Sequence, residues 1–375
     1  MSRWSKYLAK AVSKADAGID KLRYKLNERF GKDELVAFPY LTYGKRDTLF
    51  VKGRVLEVRN IQPAREDASF WENFKNAYKR FESDEMPFAT VKVSFRGAEK
   101  TLEADGEGYF EGWLEPPTAL LDEHTYLQDF TVELIAPIRE RQVETVFGGA
   151  AIVPGPGAEF GVISDMDDTV LQTGATSIRS MAKKVLFGNA KTRLPFEGVN
   201  AFYQALHKDQ NPIFYVSSSP WNLYDVLVEF LDLNGIPAGP LLLRDWGSSP
   251  TELLPTSHGT HKLDSINQIL DTYPELNFIL IGDSGQEDPE IYTEVVEAHP
   301  ERILGIYIRD VSQEAERDEQ VQKLAGKLNA EGHFLKLVPD TVTAARHAAQ
   351  QGWIPETVIA EVEAAKLEDE QQPKT

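Results

Sequence analysis

The stretch EFGVISDMDDTVL, residues 159–171, decides how this chain is read. Phe160–Ser164 is an apolar run of strand type, and it ends directly on Asp165, Met166, Asp167, Asp168 and Thr169. A strand in an open α/β sheet delivers the residues at its end to the sheet's carboxyl edge, where such folds hold their ligands. Asp165 and Asp167 leave that strand two positions apart, so one carboxylate is free to attack phosphorus while the other reaches the leaving oxygen. Thr169 is placed to steady the loop by hydrogen bonds, and Asp168 reads as a solvated or capping residue.

Three further elements come after it in order. PIFYVS, residues 212–217, is a second apolar strand ending in a hydroxyl suited to holding a phosphate oxygen. Ser217 is the first choice by position and Ser218 competes with it, with backbone N–H groups of the next helix as further donors. GTHK, residues 259–262, opens a helix and supplies Lys262, a fixed cation against phosphate and crowded carboxylates. His258 and His261 flank it without a third ligand at a zinc spacing, so they read as polar loop residues. ILIGDSGQED, residues 279–288, ends a strand at Asp283 and places Asp288 five residues later. Asp165, Asp283, the carbonyl of Asp167, waters and a phosphate oxygen compose an all-oxygen octahedral site of the kind Mg²⁺ prefers. Asp288 is a further ligand or an anchor for the others. Each element alone has an ordinary explanation as a turn, a surface lysine or an acidic loop. Four in order, most of them at a strand's carboxyl end, do not.

The rest of the chain frames this site. Its 375 residues suffice for two domains with extras. It has no Cys, which excludes disulfides, thiolate catalysis and Cys-ligated zinc and suits a reducing compartment. No apolar run approaches the roughly 18 residues of a bilayer span, and the N-terminus lacks the apolar core of a secretory signal, so a cytoplasmic protein is expected. The net charge is -19, yet residues 1–32 carry nine Lys/Arg against three acids, leaving -25 on the remainder. So acidic a body argues against nucleic acid as partner. Apolar residues at Trp4, Leu8, Val12, Ala15, Ile19, Leu22, Leu26 and Phe30 mark one helical face among those basic residues. Two readings stand for it: an interfacial helix on an anionic membrane surface, or a helix packed on protein.

From about 35 to 153 the period changes to two, as in Val91, Val93 and Phe95 or Phe130, Val132 and Leu134. Strand-like runs also cover 49–58, 109–114 and 143–153, which predicts an antiparallel β-sandwich over 33–153. Trp71 and Trp113 read as core rather than a sugar platform. PGPG, residues 154–157, is a linker. Beyond it strands at 160–164, 213–216, 241–243, 278–281, 303–308 and 334–338 alternate with helices such as 222–233 and 262–273. That is a doubly wound α/β domain, mostly parallel, over 158–340. Helices and a polar, frayed tail over 341–375 close the chain.

DMDDTVLQTG, RLPFEGV (193–199), FYVSSSPWNLYD (214–225), LLLRDWG (241–247) and FILIGDSGQED (278–288) resemble the catalytic domain of the actin-patch phosphatidate phosphatases and their bacterial relatives. The resemblance covers roughly 158–340. It implies an HAD-like (haloacid-dehalogenase superfamily) fold and a Mg²⁺-dependent phosphatase taking phosphatidate to diacylglycerol. It assigns Asp165 as nucleophile forming an aspartyl-phosphate, Asp167 as general acid and base, Ser217 and Lys262 to the phosphate, and Asp283 and Asp288 to the metal. The cap position of such enzymes is filled by residues 176–194, which hold Arg179, Lys183, Lys184, Lys191 and Arg193 among apolar residues and no acid. Arg179, Lys183, Lys184 and Arg244 are therefore candidates for an anionic, amphiphilic substrate, although an amphipathic helix with a solvated basic face fits the cap segment as well. The long Pro-rich tail that offers fungal members SH3-type partners is lacking here. A phosphatase of soluble metabolites is the alternative enzyme, and a binding module with a vestigial phosphatase domain is the alternative class.

Overall fold

Val91, Val93 and Phe95 are buried while Thr90, Lys92 and Ser94 between them are partly exposed, so the two-residue period separates inside from outside as a half-buried strand must. The computed structural model describes residues 34–58, 85–117, 126–140, 142, 144–171, 196–245, 258–312 and 314–371. The expected helix over 1–32, Trp71, and the basic cap segment 176–194 with Arg179, Lys183 and Lys184 lie outside the described residues.

Eight strands make up the N-terminal part: β1 (Glu34–Pro39), β2 (Thr42–Lys45), β3 (Thr48–Val58), β4 (Thr90–Phe95), β5 (Ala98–Glu103), β6 (Tyr109–Leu114), β7 (Leu127–Ala136) and β8 (Val146–Ile152). They run in the order β1-β3-β2-β8-β7-β4-β5, with β6 on the second edge of β3. Leu35, Val51, Val55 and Phe110 from one half share a single core with Val91, Val93, Phe130 and Val132 from the other, so the sheet folds back on itself like a sandwich. The expectation of a purely antiparallel sheet needs correction at one seam. The four-residue β2 pairs antiparallel with β3 but parallel with β8. That short strand belongs to both halves and is where the sheet turns, a non-local pairing that periodicity does not encode.

The second sheet is wholly parallel: β11-β10-β9-β12-β13-β14, built from β9 (Gly161–Ser164), β10 (Ile213–Pro220), β11 (Leu241–Arg244), β12 (Phe278–Asp283), β13 (Ile303–Arg309) and β14 (Leu335–Val338). Strands β9 and β12 are buried at every position, which is why their sequences are unbroken apolar runs rather than alternating ones. From β9 the chain adds β10 and β11 on one side, then crosses to add β12, β13 and β14 on the other. The reversal falls at β9, between β10 and β12, and the carboxyl ends at such a point are where open α/β sheets hold their ligands.

Helices α1 (Val199–His207), α2 (Tyr224–Leu233), α3 (His258–Thr272), α4 (Asp288–Ala298) and α5 (Ala315–Ala330) cover the sheet, followed by α6 (Thr341–Gln350) and α7 (Val358–Gln371). The last two are no appendage, because Val342, Ala345, Ala348 and Val362 belong to the same core as Val162 and Tyr215. The expected frayed tail is helical as far as Gln371, and Asp369 accepts a hydrogen bond from the Gly198 N–H at 2.9 Å.

The PGPG turn links the two sheets, but they do not stand apart. Tyr40 stacks on Trp221 with centroids 5.0 Å apart and lies 4.2 Å from the Tyr224 ring. The N–H of Leu41 donates to the Tyr224 hydroxyl at 2.9 Å, and Tyr43 packs edge-on against Phe214. Each such aromatic pair adds about 0.5–1.5 kcal/mol beyond its buried area. Part of the PWNLYD sequence is therefore an inter-domain contact directly beyond the serine motif. Trp113 also packs here, against Phe50 and Tyr43, as a core residue would.

Candidate active site

Asp165 and Asp167 come directly after β9, Ser217 and Ser219 lie on β10, Asp283 ends β12, and Lys262 and Asp288 reach in from α3 and α4. All seven side chains are buried. Lys262 is there because α3 is amphipathic: its face carries Ser265, Ile266 and Ile269 into the core, and Lys262 lies one turn before them.

Lys262 Nζ lies 2.7 Å from Asp165 Oδ1 and makes a second, shorter ion pair with Asp288 Oδ1. Burial alone would lower the lysine's pKa, but the charges of Asp165, Asp288 and Asp283 outweigh it and hold it far above the usual range. It stays protonated. Burial, and then the neighbouring acids against Lys262, raises Asp165 well above the ordinary carboxylate range. Asp283 is pushed up to about 8, by burial first and Asp288 second. One lysine does not neutralise this much buried acid. The side chains of Asp165, Asp283 and Asp288 each offer an oxygen within 4.8 Å of the others'.

The oxygens divide by role. Both oxygens of Asp288 are engaged, Oδ1 with Lys262 and Oδ2 with the Asp283 N–H at 3.2 Å. Asp283 Oδ1 accepts from the N–H groups of Gly285 (2.7 Å) and Gln286 (3.1 Å), and its Oδ2 accepts from the Gln286 side-chain amide at 3.0 Å. Asp165 Oδ2 is buried with no hydrogen-bond partner. An orphaned buried carboxylate oxygen within this cluster of three acids fits a hard divalent cation. Asp165 and Asp283 would hold it directly, while Asp288 anchors Lys262 and the backbone of Asp283. Gly282 permits that anchor, since a Cβ there would stand 2.5 Å from Asp288 Oδ2 and 2.8 Å from the Tyr292 ring.

Ser217 behaves differently from a simple phosphate clamp. Its Oγ donates to Asp167 Oδ2 at 2.9 Å and accepts from the Ser219 N–H at 2.9 Å, while Ser219 Oγ donates to the same Oδ2 at 3.2 Å. Asp167 is raised by burial against the lowering effect of Ser217, and its Oδ1 carries no partner. A carboxyl held through Oδ2 leaves Oδ1 able to carry a proton. Ser218 is buried beside them. Arg244 closes β11 at the same sheet edge, paired with Pro220 of β10. Thr169 corrects an expectation: its buried hydroxyl makes no hydrogen bond among the described residues, so it does not steady the loop that way. The turn is instead held by backbone bonds from Asp168 N–H to Leu171 and from Val170 N–H to Met166, with Asp168 in the left-handed region at φ 55° that an aspartate tolerates. His261 lies outside the acid cluster, and burial lowers its pKa.

Three residues of the site carry no clear signal in the sequence. Gln286 Nε2 donates both to the Asp167 carbonyl (3.2 Å) and to Asp283 Oδ2 (3.0 Å), tying two strand ends together. Ser219 is legible only as part of a serine run. Arg309, at the end of β13 in register with Asp283, is nine-tenths buried, stacks 4.0 Å over Phe196 and donates to Thr341 Oγ1 at 2.7 Å. Burial lowers its pKa to about 10.

Comparison with known proteins falls on this same stretch. The family model described as the catalytic domain of phosphatidate phosphatase APP1 matches residues 160–310. Those residues are similar to the catalytic domain of that family. Asp165, Asp167, Ser217, Lys262, Asp283 and Asp288 all lie inside the match. Phosphatidate phosphatase APP1 of Saccharomyces cerevisiae is 37% identical over 152 residues, 40% of this chain and 26% of the yeast protein. An uncharacterized protein of Schizosaccharomyces pombe is 31% identical over 152 residues, 40% of this chain and 25% of that protein. The match thus spans about a quarter of the length of these curated relatives. Among solved structures, a carbohydrate acetylesterase from Xanthomonas citri aligns over 89% of this chain and 75% of its own at 12% identity, with a TM-score of 0.29, a likeness too distant to carry an argument. Among the described residues no helix is long and apolar enough to cross a membrane.

Proposed function

We propose that the chain is a Mg²⁺-dependent, HAD-like phosphomonoesterase that works through an aspartyl-phosphate and takes phosphatidate or a similar lipid phosphate. The observation that carries this reading is the orphaned Asp165 Oδ2, buried beside Lys262 and Asp283 at the reversal point of the parallel sheet. Bound at Asp165 and Asp283, the cation would supply charge neutralisation for a phosphoryl group approaching a cluster of carboxylates.

The chain's own groups do the rest. Lys262 works against the burial that raises Asp165, favouring its charged form, and offsets the incoming phosphate. Asp165 attacks phosphorus through the carboxylate oxygen that the cation does not take, as the ester P–O bond breaks. Asp167, protonated on Oδ1, gives its proton to the departing alkoxide. Asp167 then takes a proton from water as that water attacks the aspartyl-phosphate, which releases inorganic phosphate and restores the Asp165 carboxylate. Ser217 and Ser219 orient Asp167 through its other oxygen throughout. Lipid phosphate as substrate is supported by the name of the matched family and by the basic, acid-free composition of residues 176–194.

Phosphate release from phosphatidate in mixed micelles and from short soluble phosphoesters, with Mg²⁺ and with chelator, tests the reading. Chelator-sensitive release from the lipid, with an acid-stable and hydroxylamine-labile phosphoryl adduct, is expected. Release that chelator does not touch, or turnover without any adduct, refutes the mechanism. Faster turnover of the soluble esters refutes the substrate class.

A further inference from the structure

The loop Ser284–Glu287 between β12 and α4 is gripped from outside the site by one side chain. Arg317 on α5 donates from Nε to the Ser284 carbonyl (2.8 Å) and from Nη2 to the Gln286 carbonyl (2.5 Å). The same guanidinium pairs with both carboxylate oxygens of Glu290, at 2.5 and 2.8 Å. Ser284 is held as well, its Oγ accepting from the N–H groups of Val311 and Ser312 and its N–H donating to the Arg309 carbonyl. On its inner side, this loop presents the two N–H groups that cap Asp283 Oδ1 and the Gln286 amide that bridges Asp283 Oδ2 and the Asp167 carbonyl.

Those last two oxygens come from different strands, and among the described residues the Gln286 side chain is what links them. A Mg²⁺-type site needs its ligand oxygens within a fixed spacing, with bonds of about 2.0–2.1 Å and near-octahedral angles, so their arrangement before binding sets part of the affinity. A planar guanidinium meets two carbonyls and a carboxylate at once, which a lysine ammonium on a flexible stem does not. Arg317 lies beyond the family match at 160–310, on a helix whose buried residues are Val321 and Leu328.

We propose that Arg317 is a positioning residue for the cation site: by holding the Ser284 and Gln286 carbonyls it keeps Gln286 across Asp283 and Asp167. The inference rests on the reading of this site as a divalent-cation centre. The test uses the full chain and Mn²⁺ as an EPR-visible probe, with Mg²⁺ competition and urea unfolding in parallel. Asp283→Asn should abolish binding, Arg317→Ala should weaken it at least tenfold, and Arg317→Lys should not restore it. Glu290→Gln removes the ion pair but leaves both carbonyl bonds, and should bind within threefold of the parent. Parental affinity in Arg317→Ala and Arg317→Lys overturns the proposal. So does a loss in Glu290→Gln equal to that in Arg317→Ala, because the ion pair rather than the carbonyl grip would then be at work. Should Arg317→Ala fail to fold, Arg317→Lys decides alone. Failure of the parent protein to bind Mn²⁺ overturns the cation reading itself, a result distinct from normal parental binding that Arg317 does not influence.

Discussion

Replacing Lys262 by Met removes the buried cation of the site and keeps the length of its side chain. Nζ lies 2.7 Å from Asp165 Oδ1 and also pairs with Asp288 Oδ1, and the side chain is 3 % exposed against 0 % for both acids. Water therefore does not take over the lost neutralisation. Breaking a buried pair by removing one partner costs about 3–5 kcal/mol, roughly two to four decades in the folding equilibrium. Asp165, already raised by burial, rises further in the variant, so the native state binds more protons than the unfolded chain and loses stability as pH rises. The deficit should be larger at about pH 8 than at about pH 5, because protonation at the lower pH removes part of the unpaired charge. Mg²⁺ should restore more stability to the variant than it adds to the parent, because it replaces the missing charge. Urea unfolding at both pH values, with chelator and with Mg²⁺, reads all three effects. A variant within about 1 kcal/mol of the parent at pH 8 in chelator would refute the reasoning, since surface changes of that size are ordinary.

Asp165→Asn should lose at least about 10³-fold in turnover, as removal of a nucleophile does, without a lower melting midpoint, because it deletes a carboxylate that burial disfavours. Turnover close to the parent, in a preparation free of other phosphatases, would move the nucleophile elsewhere. Tyr224→Phe should destabilise the protein by about 1–3 kcal/mol, since the buried Leu41 N–H loses its acceptor; an unchanged urea midpoint would mean that the inter-domain bond is dispensable. Asp340 caps α6 by accepting from the Thr343 N–H and is paired with Lys366. Burial would raise its pKa, but Lys366 and Thr343 outweigh that and hold it at about 2, so its contribution is present above pH 3.8 and lost as pH falls through about 2. Asp340→Ala should cost about 1 kcal/mol at neutral pH and flatten that part of the acid limb; an identical acid limb in the two proteins would rule the cap out as its source.

Much of the site is legible in the sequence because strands carry their ligand-bearing residues at their ends. The apolar runs before Asp165, Ser217 and Asp283 are local features, and parallel pairing brings their carboxyl ends to one edge without further instruction. What the sequence cannot divide is the labour among the acids. Asp288 looks as fit to ligate as Asp283, and only the structure shows its oxygens on Lys262 and the Asp283 N–H. Ser217 looks like a phosphate holder, and its bond to Asp167 crosses 50 residues of chain. Arg317 carries no signal, because a charged residue on a helix with few buried positions reads as a solvated face.

The sequence by itself therefore determined the two-part architecture, the parallel sheet and the identity of the candidate catalytic acids, since all three rest on periodicities of two and 3.6 residues and on spacings within single segments. The tertiary structure alone decided the parallel seam at β2, the aromatic weld of Tyr40 to Trp221 and Tyr224, the burial of the C-terminal helices in the α/β core, and the grip of Arg317 on the Ser284–Glu287 loop. Those depend on contacts between segments far apart in the chain, whose geometry is set by how the layers pack rather than by any residue's neighbours in sequence.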